Sequence, residues 1–333
     1  MRMPPFRFER PAELRQALDL LRELDGAGNG YVLSAGGTDL VPMMKSQPVS
    51  VGSLISLTKL KALGGIRLDP GKSLSLGALV TLGDLSSDAA VRETFPCIAE
   101  TAGKIATPQI RNRATVGGNL LVDNRCIYFN QSEQNRLAHT PCFKAGGETC
   151  HLVPKTARGD DPLCRARFVS DLAPVLLLLH ATIRIASTAG ERSLPLRDFH
   201  LPDGISRNRL GRGEILTRID VPLPGPSAGV LYEKLRIRNA IDFPSLGVAV
   251  SLGRIPGGGT RFGAALTGVH TRPVVMQVDE AARGSREESV DSLIAGISRA
   301  VTPFRQGFFP PDYLRKMIPV LIRRNMEKLL RKA

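Results

Sequence analysis

Four of the five cysteines, Cys126, Cys142, Cys150 and Cys164, fall within 39 residues, with His139 and His151 among them. In a chain without a secretory signal, such a cluster is expected to serve a metal or redox centre rather than a disulfide framework. Four thiolates meet the ligand count of a 4Fe-4S cluster, although their wide spacing is less specific than a ferredoxin-type run. Zinc accepts the same ligands, and the two histidines leave a mixed Cys/His zinc site open. The fifth, Cys97, lies in a mostly apolar helical pattern and is expected to be a small buried residue.

Two glycine turns have the chemistry to hold a diphosphate. In Ala35-Gly36-Gly37-Thr38-Asp39-Leu40, the glycines let backbone N–H groups approach phosphate oxygens, and Thr38 adds a hydroxyl just before a helix-compatible stretch. The second turn, Thr115-Val116-Gly117-Gly118-Asn119-Leu120, repeats this about eighty residues later, with Arg111 and Arg113 lending positive potential. Neither is a Rossmann fingerprint or a Walker loop. Together they suggest a dinucleotide gripped from two sides.

The elements that must position these groups follow from apolar spacing. Leu14, Ala17, Leu18 and Leu21 recur at helical intervals within residues 11–24, and residues 31–34 form a short strand that runs into the first turn. Further strands are expected at 53–57 and 73–79, a helical region from Thr81 to Ala90, and another helix around Cys97 that ends near Ala106. From Asp123 to Arg167 the chain is polar, cysteine-bearing and aperiodic, so something bound is expected to order it. A buried helix at 172–179 and a strand at 182–187 resume the pattern. Pro222, Pro224, Gly225 and Pro226 mark a linker. Beyond it come strands near 247–252 and 262–269, then a last helix with Leu314, Met317, Ile318, Leu321 and Ile322 on one face.

With 333 residues, the chain is expected to form two or three domains. Its net charge of +14 raises the question of a polyanionic partner, but the basic residues are dispersed and Trp is absent, so nucleic acid is not expected. Residues 1–10 lack the apolar core of a signal peptide, and the longest apolar run, 173–179, is too short to span a bilayer. A cytoplasmic protein is the expectation.

Ala35 to Leu40, Gln109 to Leu120, Ser170-Asp171-Leu172-Ala173-Pro174, and Tyr232-Glu233-Lys234-Leu235-Arg236 through Asp242-Phe243 carry a resemblance that spans nearly the whole chain. In this order they resemble the FAD-binding medium subunit of the xanthine dehydrogenase and carbon monoxide dehydrogenase family, the molybdenum hydroxylases. The resemblance implies an α+β fold. An FAD-binding domain over residues 1–224 would comprise two PCMH-like α/β subdomains, about 1–58 and 59–224. A C-terminal α+β domain of the CO dehydrogenase flavoprotein type would follow over 225–333. Carried onto this sequence, Leu33, Ser34, Ala35, Gly36, Gly37, Thr38, Asp39 and Leu40, with Thr115, Gly118 and Asn119, would hold the FAD diphosphate, and Val122 would lie close by. Asp171 would bond the adenosine side or the ribityl chain, and Lys234 would lie near the flavin. Read without the family, Asp171 is a helix N-cap and Lys234 a solvated strand residue.

The cysteine-rich insertion, about 123–167, is similar to one in the β subunit of 4-hydroxybenzoyl-CoA reductase, where four cysteines bind an additional 4Fe-4S cluster. Cys126, Cys142, Cys150 and Cys164 fall at matching positions, with a longer Cys150–Cys164 stretch here that includes Gly159-Asp160-Asp161-Pro162. The resemblance implies an electron-transfer subunit without substrate chemistry of its own. Electrons would pass from ferredoxin through the cluster and FAD to a small 2Fe-2S subunit and a large molybdopterin-binding subunit, in a dimer of heterotrimers. The alternative is the FAD subunit of a xanthine, aldehyde or CO dehydrogenase-type hydroxylase that sends electrons to NAD or quinone. A zinc-stabilised interaction module without flavin stands outside both.

Overall fold

The computed structural model describes residues 3, 5–46, 51–69, 71–153, 163–225, 229–255, 258–280 and 284–331. Gly159 to Pro162 and Pro226, singled out above, lie outside the described residues. The fold is mixed α+β, built on three sheets.

The first sheet is parallel. Strands β1 (Arg7–Glu9), β2 (Tyr31–Ser34) and β3 (Ser53–Ser56) lie in the order β1-β3-β2. Parallel neighbours require crossovers, which α1 (Leu14–Gly26) and α2 (Leu40–Ser46) supply. The apolar spacing of α1 puts Ala17, Leu18, Leu21 and Leu24 into one small core with Ile55, Leu57, Leu60 and Leu63. The first glycine loop leaves this sheet at the carboxyl end of β2.

The second sheet is antiparallel, in the order β4-β5-β8-β6-β7. Its strands are β4 (Ile66–Asp69), β5 (Ser73–Gly77), β6 (Thr182–Ser187), β7 (Gly190–Pro195) and β8 (Ile215–Pro222). Between β5 and β6 the chain forms α3 (Leu82–Ser87), α4 (Ala89–Thr94), α5 (Pro96–Gly103), α6 (Pro108–Arg111), α7 (Val116–Leu120), α8 (Glu133–Leu137) and α9 (Leu172–Leu178). The single helical region expected from Thr81 to Ala90 is two helices. Asp88 takes an extended backbone, and its carboxylate caps α4 by accepting the Val91 N–H.

Strands β9 (Gly229–Leu235), β10 (Leu246–Arg254), β11 (Thr260–Thr267) and β12 (Val274–Asp279) make the third sheet, antiparallel in the order β12-β11-β10-β9. Helices α10 (Arg286–Arg299) and α11 (Pro311–Leu330) cover one face, and α9 packs on the other. Alternate residues of β10 serve the two sides: Val248 and Val250 join the core under α10 and α11, while Ala249 joins the core of α9. A strand covered on both faces needs a continuous apolar run. All seven residues of α9 are buried for the same reason, since it lies between the third sheet and helices α5 and α7. In α11, Leu314, Ile318, Leu321 and Ile322 are buried as their spacing requires, and Met317 is partly buried beside them.

The insertion enters and leaves this fold at one point. Arg125 and Arg167 exchange both backbone hydrogen bonds at 2.9 Å, and the buried Asn124 amide donates to the carbonyls of Ala166 (3.0 Å) and Thr271 (2.7 Å).

His200 lies under this stem, 5% exposed, between the rings of Phe168 and Phe199 at 4.6 and 5.1 Å. Burial pulls its pKa down to about 4. The unfolded chain therefore binds a proton that the folded chain refuses, so this stability is present above about pH 6.5 and is lost as pH falls toward about 4. Denaturant titrations across that window should show a loss on the order of 3 kcal/mol. In His200→Leu that part of the acid limb should flatten; an unchanged limb would exclude His200 as its source.

Candidate functional site

Residues 35–39 form a half-buried loop between β2 and α2. Gly37 sits at φ +71°, a left-handed conformation that favours glycine. Gly36 is required by proximity: a Cβ there would stand 1.9 Å from the Arg113 carbonyl oxygen. The first loop thus lies backbone to backbone against the segment that leads into the second motif. Among the described residues, the N–H groups of Gly36, Gly37 and Thr38 donate to no protein acceptor. These half-buried residues therefore offer unused backbone donors.

The second motif is a helix start rather than the glycine turn expected. Thr115 takes an extended backbone, and its hydroxyl accepts the Gly118 N–H at 3.0 Å, which nucleates the short α7. Gly117 is pressed on Ala78, whose carbonyl oxygen would lie 2.9 Å from an added Cβ, so a glycine pair is accommodated in a helix by packing. Gly118 is exposed, Asn119 half-buried, Thr115 and Val122 buried. The Asn119 side-chain oxygen accepts the Ser170 hydroxyl (2.7 Å) and the Leu172 N–H (3.2 Å), which ties α7 to the start of α9.

Asp171 and Lys234, 63 residues apart, meet as a buried ion pair. Lys234 Nζ lies 3.1 Å from the carboxylate, each side chain is 2% exposed, and the Tyr232 hydroxyl donates to the same carboxylate at 2.7 Å. Burial pushes the Asp171 carboxyl up, opposed by Lys234, and pushes the Lys234 ammonium down, opposed by Asp171. Asp171 makes no side-chain cap to α9, so it is not the N-cap of the simpler reading; the Ser170 hydroxyl, 3.1 Å from the Ala173 N–H, serves that end. Lys234 is likewise not a solvated strand residue. The pair locks α9 against β9.

Cys126, Cys142, Cys150 and Cys164 line one small hollow, with Tyr128, Phe129, Phe143, Lys144, Thr149, His151 and Ala166. All five cysteines are free. Burial raises the Cys126 thiol pKa and takes Cys164 to about 11. Asn130 Oδ1 accepts the Cys126 N–H at 2.7 Å, and Asp203 Oδ1 accepts the Cys164 N–H at 2.9 Å, so the first and last cysteines are each held by a side chain. Among the described residues, no three His, Cys, Asp or Glu side chains are set to hold a metal ion. The half-buried Cys97 stands apart against the main core, its pKa raised to about 12 by burial, an inert thiol.

Arg125 links hollow and loop. Its guanidinium lies 3.3 Å from Asp39 and 4.8 Å over the Phe243 ring, and the next residue is Cys126. Asp39, with its pKa raised by burial and held down by Arg125, closes the first loop on that side. Sequence reading had not singled out Lys144 and Asp123. They form a 2.7 Å ion pair at the hollow, for which no local pattern gives a signal.

Residues 4–224 match the family described as the FAD binding domain in molybdopterin dehydrogenase. The chain belongs to that family. This FAD-binding domain family member is 31% identical over 305 residues to the aldehyde oxidoreductase FAD-binding subunit PaoB of Escherichia coli, covering 88% of this chain and 91% of the relative. It is 26% identical over 333 residues to the carbon monoxide dehydrogenase medium chain of Afipia carboxidovorans, with 98% of each covered. A crystal structure of the Cu,Mo-CO dehydrogenase in its cyanide-inactivated form superposes with a TM-score of 0.75 at 25% identity over 100% of both chains. The family member is thus similar across its whole length to flavoprotein chains of molybdenum hydroxylases. Among its described residues, no helix is long and apolar enough to cross a membrane.

Proposed function

We propose that this chain carries FAD and a 4Fe-4S cluster and passes electrons between them within a molybdenum-dependent oxidoreductase. The observation that carries the reading is the hollow lined by all four clustered cysteines, tied to the first glycine loop through Arg125 and Asp39. Tetrahedral zinc with bonds of about 2.3 Å would draw its sulfurs to about 3.8 Å from one another. In a 4Fe-4S cluster each thiolate binds a different iron, so the ligands stand around a larger body. Four cysteines that line one hollow supply the ligand number of such a cluster.

The residues fit FAD as well. Leu33 to Leu40 supply the close backbone wall, in which the unused N–H groups of Gly36, Gly37 and Thr38 would meet the diphosphate. Thr115, Gly118 and Asn119 would form the opposite wall, with Val122 behind them. Asp171 and Lys234 would support the flavin side from below as a buried pair. When bound, FAD exchanges electrons in pairs with one partner and singly with another. This chain's own part is to hold the two groups near each other and exclude water from the cysteines.

On this reading the partners are a large molybdopterin-binding subunit and a small 2Fe-2S subunit, assembled as a dimer of heterotrimers. With a 4-hydroxybenzoyl-CoA reductase type of complex, a reduced ferredoxin would feed the cluster, and FAD would pass electrons on toward molybdenum. The similarity to an aldehyde oxidoreductase subunit and to a CO dehydrogenase medium chain favours a second reading, in which electrons leave through FAD and the cluster is a branch.

Purification without oxygen, with FAD, iron, sulfide and zinc measured per chain, tests the core of the proposal. One FAD with about four iron and four sulfide is expected. FAD alone would remove the cluster, and zinc without flavin would sink the reading. Cluster and flavin potentials then separate the two directions, because a cluster far above the flavin does not readily feed it.

A further inference from the structure

We propose that Lys144, opposed by Asp123, sets the reduction potential of the group held in the cysteine hollow. This rests on the cluster reading above. Lys144 lines the hollow together with the four cysteines, and its side chain is only 9% exposed. Its ammonium is fixed from three sides, by Asp123 Oδ1 at 2.7 Å, the Asn124 carbonyl at 2.9 Å and the Phe129 ring at 5.0 Å.

Asp123 does not cancel this cation. Arg207 approaches the same carboxylate oxygen at 3.2 Å, so two cations share one anion at the wall of the hollow. Reduction of the cluster adds one electron and no proton, and hence one unit of negative charge. A fixed cation in a poorly solvated wall favours that state, and a fixed anion opposes it. Lys144 and Asp123 therefore act with opposite signs. Purely structural roles would instead loosen the cluster in both variants.

The test is a redox titration of the intact chain with its cofactors, without oxygen, in which dithionite supplies the electron and the reduced cluster is followed by electron paramagnetic resonance. Iron per chain is measured in parallel. Lys144→Met should shift the reduction equilibrium at least tenfold toward the oxidised cluster, which is 59 mV downward for a one-electron couple. Lys144→Arg should stay within a few-fold of the parent, and Asp123→Asn should move upward. An unchanged midpoint in Lys144→Met with full iron overturns the proposal. If that variant sheds iron, Asp123→Asn decides: an upward shift supports the proposal, and no shift or a downward one overturns it. A parent chain without iron removes the cluster reading itself, which is a different result from an iron-loaded parent whose variants do not shift.

Discussion

Gly36→Val should lose FAD while the chain still folds. The added Cβ would be placed 1.9 Å from the Arg113 carbonyl oxygen, a contact between backbones that no rotamer change relieves. The first loop would have to move off the segment that leads into α7, and the two walls of the site would part. Overpacking of this kind costs on the order of 1–3 kcal/mol or more, which corresponds to about fivefold to more than hundredfold in affinity if it falls on the bound state. Flavin fluorescence titration of the stripped protein, with thermal unfolding as a control for folding, reads the effect. Gly118→Ala is the comparator. Its Cβ would meet the Thr115 hydroxyl at 3.0 Å, a milder crowding, so a smaller loss is expected. Native affinity in Gly36→Val would mean that the two segments do not form one site.

Lys234→Met should be among the most destabilising single substitutions in the chain. It leaves the Asp171 carboxylate, 2% exposed, without its ion-pair partner, held by the Tyr232 hydrogen bond and the charge of Arg236. Removal of one partner from a buried ion pair costs about 3–5 kcal/mol. Tyr232→Phe removes one hydrogen bond to the same carboxylate and should cost about 1.5–3 kcal/mol. The double variant Asp171→Asn with Lys234→Met no longer buries a lone charge, so it should recover more than about 1 kcal/mol relative to the sum of the two single effects. Urea unfolding of the four proteins measures this. Strict additivity would show that Asp171 and Lys234 act independently and that the link between α9 and β9 lies elsewhere.

These two predictions rest on contacts that link distant parts of the chain, and the sequence shows why such contacts stay hidden. Helix α1 and the apolar face of α11 are legible because their spacing alone decides which side is buried. Strand β7 is not, since all but one of its residues are exposed and its place is set by pairing with β6. The second glycine motif reads as a turn because two glycines disfavour a helix; the Thr115 cap and the close packing on Ala78 decide otherwise. The cysteines are legible by type and clustering, but the convergence of all four on one hollow depends on the Arg125–Arg167 stem. Asp171 stands before an apolar run and so resembles a cap, and nothing local points to a lysine 63 residues away.

That stem also bears on how such a protein could arise. Because Arg125 and Arg167 pair directly, the segment between them leaves and rejoins the parent fold at one closed base. The entropy of closing a loop grows only slowly with its length. A segment rooted in this way can be acquired, lengthened or discarded by a lineage with little disturbance to the strands and helices around it. The stem and the residues that brace it are then where a transplanted insertion would have to match its host.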